Sequence, residues 1–230
     1  MDRRHHYYPL AWPFLAGLAV LLVAVVALVQ VGALSYAYER LGIGSSTVFA
    51  ILLLELLGSS INVPLGWLRS EPGVTPTRVV VFGVTYTVPA RTRPKETLVA
   101  VNVGGAVIPT ALSAYVVARG GIAIDALAAT AIVTAGVHLV ARPVAGLGIA
   151  VPTLAPAFMA AAAAIALASP AHTAGVAYCA GTVGTLLGAD VLNVRRIPSL
   201  GAPMASIGGA GTFDAVFITG IAAVLLVALA

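Results

Sequence analysis

Charge is scarce in this chain. Only 9% of its 230 residues are Asp, Glu, Lys or Arg, against about 25% in soluble domains. With 60% hydrophobic residues and a mean hydropathy of +1.04, that scarcity excludes a water-exposed globular fold. Too little polar surface exists to cover so much apolar side chain. Cysteine is almost missing: Cys179 stands alone, so no internal disulfide can form, and its place in an apolar run reads as a buried structural thiol. No Cys/His metal spacing and no P-loop or G-x-G-x-x-G block occurs, so neither a metal nor a cofactor is expected. Long alternating segments are absent too, which argues against a membrane barrel. The formal charge of +4 carries no nucleic-acid signal, because its distribution follows membrane topology.

What the chain has in abundance is long apolar runs. Read between breakers, they give seven candidate spans at about 11–38, 46–68, 97–118, 122–140, 152–169, 174–193 and 212–230, each near the ~20 residues that cross a bilayer as a helix. Tyr7, Tyr8 and Trp12 open the first and Trp67 closes the second, as interfacial aromatics do. The first run is longer than a signal peptide's apolar core and reads as an uncleaved anchor. The expected architecture is an all-α polytopic bundle, one integral membrane domain over 1–230, in the cell membrane.

Basic residues orient it. With the N-terminus in the cytoplasm, the inner segments hold Arg3, Arg4, Arg69, Arg78, Arg91, Arg93, Lys95, Arg142, Arg195 and Arg196, and the outer ones only Arg40 and Arg119. Ten against two satisfies the positive-inside rule and puts the C-terminus outside. The one sizeable loop, 69–96, is then cytoplasmic. Its β-rich stretch from Arg78 to Pro89, with Gly83 in the middle, predicts a small hairpin.

Polar residues gather on one side of this scheme. Asn62 and Asn102 sit near the inner ends of spans two and three, His138 ends span four, and Asp190 and Asn193, one turn apart, end span six. Asp214 opens span seven behind the glycine-rich segment Ser206-Ile-Gly-Gly-Ala-Gly-Thr-Phe-Asp214, where Gly209 and Gly211 lie. That segment also suits an anion on backbone N–H groups. Glu55, seven residues before Asn62, is expected about 10 Å deeper at 1.5 Å per residue. A carboxylate near the bilayer centre costs roughly 2.5–3.5 kcal/mol even on the lenient insertion scale, so such groups read as functional. Each also has a plain reading: Asp214 at a helix N-terminus, Asp190 paired with Arg195 or Arg196, the asparagines as interhelical hydrogen-bonding groups. Gly181, Gly184 and Gly188 make span six a close-packing face. The Pro- and Gly-interrupted stretch from Arg142 to Pro156 suggests a re-entrant or broken segment.

Two resemblances follow from these residues. The blocks Gly58-Ser-Ser-Ile-Asn-Val-Pro64, Asn102-Val-Gly-Gly-Ala-Val-Ile-Pro109, Ala141-Arg-Pro143, Gly181-Thr-Val-Gly-Thr-Leu-Leu-Gly-Ala-Asp190 and Gly209-Ala-Gly-Thr-Phe-Asp214 resemble an uncharacterised family of archaeal and bacterial polytopic membrane proteins. That resemblance implies no activity. Asp190 and Asp214, by span number, orientation and glycine context, are also similar to the paired aspartates of presenilin and signal-peptide-peptidase-like proteases. This resemblance implies an intramembrane aspartyl hydrolase acting on a single-span protein or peptide. In such a dyad one carboxyl stays protonated while the other acts as base on water, and Asn62, Asn102, Asn193, His138, Gly209 and Gly211 would orient substrate. A cation-coupled transporter or channel, with Glu55, Asp190 and Asp214 along the ion path, is the alternative. A non-catalytic scaffold meeting anionic lipid through the basic loop at 91–95 is the third. The partners expected are lipid and such a substrate, not nucleic acid.

Overall fold

The computed structural model describes residues 31–69, 78–81, 84–87, 96–144, 148–152, 154–200, 204–209 and 215–230. Residues 37–230 form one compact unit, and residues 31–36 belong to a second. Residues 31–40 are helical (α1). The other helices are α2 (Ser45–Gly58), α3 (Ile108–Gly120), α4 (Ala123–Val140), α5 (Ala155–Leu167), α6 (Thr173–Thr185) and α7 (Ala215–Leu229). Pro109 and Pro156 open α3 and α5 in the first turn, where the missing N–H breaks no helical bond. Gly121, at φ 64°, closes α3 in the left-handed region that a side chain would strain.

α6 lies at the centre, packed by α3, α4, α5 and α7. The glycines expected to make it a close-packing face do so. A methyl on Gly181 would stand 3.2 Å from the Thr219 carbonyl of α7, and one on Gly184 2.8 Å from Val133 of α4. One on Gly188 would stand 2.6 Å from the Thr134 carbonyl. α4 buries Ala126, Ala129, Val133 and Val137 and turns Ile124, Leu127 and Leu139 outward, with Leu139 84% exposed. Small residues inside and large apolar ones outside is the pattern of a helix in lipid, where packing rather than water exclusion joins helices. Cys179 is buried, its thiol 3.5 Å from the Ser113 carbonyl.

Three stretches are long and apolar enough to cross a membrane: Val103–Gly120, Ala123–Val140 and Thr173–Val191, among the described residues. Three shorter apolar helices accompany them, Ser46–Gly58, Ala155–Leu167 and Val216–Leu229. The fold is therefore mostly helical and of membrane type, but it is not all-α.

The correction falls on the expected spans 46–68 and 97–118. α2 stops at Gly58, and the chain continues as strand β1 (Asn62–Arg69). Pro64 cannot sit in a helix interior, and it drives Val63 into extended backbone. The start of the third expected span is strand β4 (Glu96–Asn102), which pairs antiparallel with β1. Between them lies the expected hairpin, β2 (Arg78–Val81) against β3 (Val84–Thr87). β5 (Arg142–Val144) and β6 (Gly148–Ala150) form a second hairpin where a re-entrant stretch was expected. β7 (Met204–Ile207) joins the other side of β4 in parallel, giving a sheet of order β1-β4-β7. Most of span one, Asp214 and Gly211 lie outside the described residues.

Candidate functional site

The sheet register brings two of the expected residues face to face: Asn62 pairs with Asn102 at the end of β1 and β4 nearest α2. Asn102 is fully buried. Its Nδ2 donates to the Ser59 carbonyl (2.7 Å) and to Asn62 Oδ1 (3.2 Å), while its Oδ1 accepts from Gly105 N–H (2.7 Å). That last bond caps a wide π-helical turn, Val103–Val107, which leads into α3. Such turns are rare and concentrate at functional sites. Asn62 Oδ1 also lies within hydrogen-bond reach of Ser206 on β7. The Ser206 hydroxyl reaches the Gly209 carbonyl as well (3.1 Å) and can donate to only one of the two.

Asp190 sits in the second π turn, Leu186–Val191, at the end of α6. Its Oδ2 accepts from the Gly208 N–H at 2.7 Å. Gly208 has φ 84°, and a methyl there would stand 2.6 Å from Ala106 Cβ. The position therefore needs glycine twice, for its backbone and for its space. In this segment, expected to offer N–H groups to an external anion, the Gly208 N–H is turned to the chain's own carboxylate. Asp190→Asn keeps an oxygen for Gly208 and should leave stability nearly unchanged. Asp190→Ala should cost about 1–3 kcal/mol by orphaning that N–H, read from unfolding in mixed micelles.

Asn193 and His138 form a separate group. Asn193 is fully buried. Its Nδ2 shares two hydrogens among the Gly188 and Ala189 carbonyls (both 3.0 Å) and His138 Nδ1 (3.3 Å), and its Oδ1 accepts from Arg196 (3.3 Å). Asn193 thus closes the π turn that follows α6 by taking up two of its carbonyls, and the one-turn spacing from Asp190 does not make the two a joint site.

Glu55 is closer to the asparagines than helical rise suggested. It lies one turn before the end of α2, and its backbone carbonyl abuts Gly104, two residues from Asn102. Its side chain is 5% exposed. Oε2 accepts from the Tyr38 hydroxyl at 3.0 Å, whereas Oε1 is buried with no hydrogen-bond partner among the described residues. The Tyr38 and Tyr178 rings are 6.5 Å apart. The buried hydroxyls of Thr185 on α6 and Thr219 on α7 likewise have no hydrogen-bond partner among the described residues.

Of the expected site residues, then, Asn62, Asn102 and Gly209 meet around Ser206, and Glu55 lies a turn away along α2. Asp190 is tied to Gly208, while His138 and Asn193 stand apart with Arg196. Sequence reasoning passed over Ser206, Gly208 and Tyr38. Ser206 and Gly208 were visible as part of the glycine segment, but their partners lie 144 and 18 residues away in the chain. Among the described residues no three His, Cys, Asp or Glu side chains gather to hold a metal ion.

Comparison with curated proteins and with solved structures gives no match, and the likeness to presenilin-type proteases finds no support there. The family model described as a protein of unknown function, DUF1614, matches residues 56–226. Asn62, Asn102, Asp190, Ser206 and Gly208 all fall within that stretch, which is most of the chain. The protein therefore belongs to the DUF1614 family.

Proposed function

We propose that this is a multi-pass protein of the cell membrane, N-terminus in the cytoplasm, that moves a small solute coupled to a cation or proton. Glu55 is the coupling group. One observation carries the reading: the Glu55 carboxyl is buried in an apolar bundle with one oxygen held by Tyr38 and the other without a hydrogen-bond partner among the described residues. Structural carboxylates satisfy both oxygens, because an orphaned buried acceptor is expensive. A carboxyl that must bind and release a cation or proton needs one oxygen spare. Two wide helical turns border the neighbouring sheet end. Purified protein in proteoliposomes should carry flux of at least one member of a broad solute panel, driven by a pH or sodium gradient. Glu55→Gln should reduce that flux about a hundredfold or more, equivalent to about 3 kcal/mol of lost coupling, without loss of folded protein. Full flux in Glu55→Gln would refute the assignment.

A second reading, an intramembrane aspartyl hydrolase using Asp190 and Asp214, has its own observation in favour. Gly208 ties the Asp190 carboxylate to a point six residues ahead of Asp214. It ranks lower because Asp190 already serves a backbone N–H. Cleavage of a single-span reporter, abolished in both Asp190→Asn and Asp214→Asn, would reverse that order.

A further inference from the structure

The central helix α6 carries a file of hydroxyls. Tyr178, Thr182 and Thr185 stand at i, i+4 and i+7, so they share one face, about 10 Å long at 1.5 Å per residue. All three side chains are buried. A helical serine or threonine in an apolar bundle ordinarily bonds back to a carbonyl one turn earlier. Ser113 on α3 and Thr173 at the start of α6 do so, to Pro109 and Ser169 (both 2.9 Å). Thr185 does not: its hydroxyl has no hydrogen-bond partner among the described residues.

The file has a carboxyl group at each end. At one end the Tyr178 ring lies 6.5 Å from that of Tyr38, whose hydroxyl donates to Glu55 Oε2, and the Tyr178 phenol is within electrostatic reach of Glu55. Thr182 lies beside the same phenol: a methyl on Gly220 of α7 would collide with Thr182 Oγ1 and stand 3.2 Å from the Tyr178 ring. At the other end α6 widens into the π turn Leu186–Val191. Bonds in such a turn run from i to i+5, which puts Asp190, five residues on, next below Thr185. Asp190 is half-buried, so the file leads from the buried Glu55 to the edge of the bundle. The other titratable groups nearby, among the described residues, are Cys179, turned to the Ser113 carbonyl, and His138 and Arg196, both joined to Asn193. Tyr115 and Arg119 of α3 are bonded to each other.

We propose that the ion coupled at Glu55 is a proton, taken up from the cytoplasmic side through Asp190, Thr185, Thr182, Tyr178 and Tyr38 in turn; this rests on the coupling reading of Glu55. Asp190 takes a proton from water and gives it to the Thr185 oxygen as Thr185 passes its own hydrogen to Thr182. Thr182 passes its hydrogen to Tyr178 and Tyr178 to Tyr38. The Tyr38 O–H, which toward an ionised carboxylate can only donate, delivers to Glu55. Each hydroxyl oxygen loses one hydrogen and gains one, Asp190 returns to carboxylate, and the net change is one proton moved to Glu55. A metal ion would need several oxygens around Glu55 at once. Hydroxyls in single file suit a proton, which needs one acceptor at a time.

The test uses the proton itself as probe. Purified full-length protein is jumped from high to low pH, and the carboxyl C=O stretch of protonated Glu55 is followed by time-resolved infrared spectroscopy, identified by its loss in Glu55→Gln. Thr185→Val should slow its appearance about a hundredfold, the scale of one positioned proton-transfer group, and Thr185→Ser should restore the wild-type rate. The Thr185 hydroxyl has no hydrogen-bond partner among the described residues, so Thr185→Val should unfold in SDS titration no earlier than wild type, which separates a lost path from a lost fold. Asp190→Asn should slow the band to a similar degree. Sodium added at fixed pH should leave it unchanged. Equal rates in wild type, Thr185→Val and Asp190→Asn, or a Thr185→Ser as slow as Thr185→Val, would overturn the route. A band that sodium removes, or no band lost in Glu55→Gln at any pH, would overturn the choice of proton and leave a sodium-coupled Glu55 standing. Full solute flux in Glu55→Gln refutes the coupling reading by a different measurement, so the two failures are told apart.

Discussion

Gly104→Ala should disrupt the fold at the sheet end more than any other single methyl group added there. A Cβ at Gly104 would overlap the Glu55 carbonyl and the Ser59 N–H, and would stand 2.8 Å from Ser59 Cα. Those obstacles are all backbone, so no rotamer change relieves the clash. The same carbonyl and N–H are bonded to each other (2.8 Å) in the last turn of α2, so separating them breaks that turn. Gly58 meets Gly104 from the other side, where its own added methyl would lie 3.0 Å from the Gly104 nitrogen. Overpacking a core typically costs 1–3 kcal/mol; here, with only backbone able to move, about 3 kcal/mol or more is expected. SDS-titrated unfolding in mixed micelles measures it. Because Glu55 rides on that turn, solute flux should fall with stability. Wild-type stability in Gly104→Ala would show that α2 and the π turn do not touch as described.

Asn102→Leu should rank next. The substitution keeps the volume roughly constant but removes three hydrogen bonds, leaving the Ser59 carbonyl, the Gly105 N–H and Asn62 Oδ1 without this partner. Each orphaned buried group costs about 1–3 kcal/mol, so a loss of about 3–5 kcal/mol is expected, with Ser206 still able to serve Asn62. Asn102→Asp separates the contributions. It retains the acceptor for Gly105 and the cap of the π turn but loses both donations, so its loss should be intermediate. Hydrogen exchange at Gly105 gives an independent reading: fast in the Leu variant, protected in the Asp variant. Equal stability of the two variants would place the importance of Asn102 in its shape instead of its hydrogen bonds.

The polar residues were visible in the sequence because membrane chains hold so few of them. Asn62, Asn102, Asp190 and Glu55 stood out against apolar surroundings, and the positive-inside count placed the first three together. Their partners did not stand out. Hydropathy treats Val63, Leu65 and Trp67 as it would any apolar span, since lipid-facing strands and helices are equally apolar. The strand signal was Pro64 and Gly66 in the chain, and at β4 the β-branched Thr97, Val99 and Val101. The expected spans 46–68 and 97–118 ran straight through these breakers and branched residues. The same averaging set Glu55 about 10 Å from Asn62, a distance that assumed helix past Gly58, where α2 ends.

Composition alone decided the solvent, the scarcity of polar groups and the helical character of α4 to α7. An apolar run of sufficient length has few other ways to satisfy its backbone in lipid. The glycines of α6 likewise declared close packing, because a missing side chain has a local geometric meaning. Which polar groups meet was decided by the tertiary structure. The pairing of Asn62 with Asn102 depends on strand register across 40 residues, and that of Asp190 with Gly208 on a parallel strand arriving from beyond α6. Arg40 and Arg119, 79 positions apart in the chain, line one cavity beside the start of α6. Hydropathy and charge are properties of single residues and short windows. Register and helix packing are settled jointly by segments far apart in the chain, and no local window contains them.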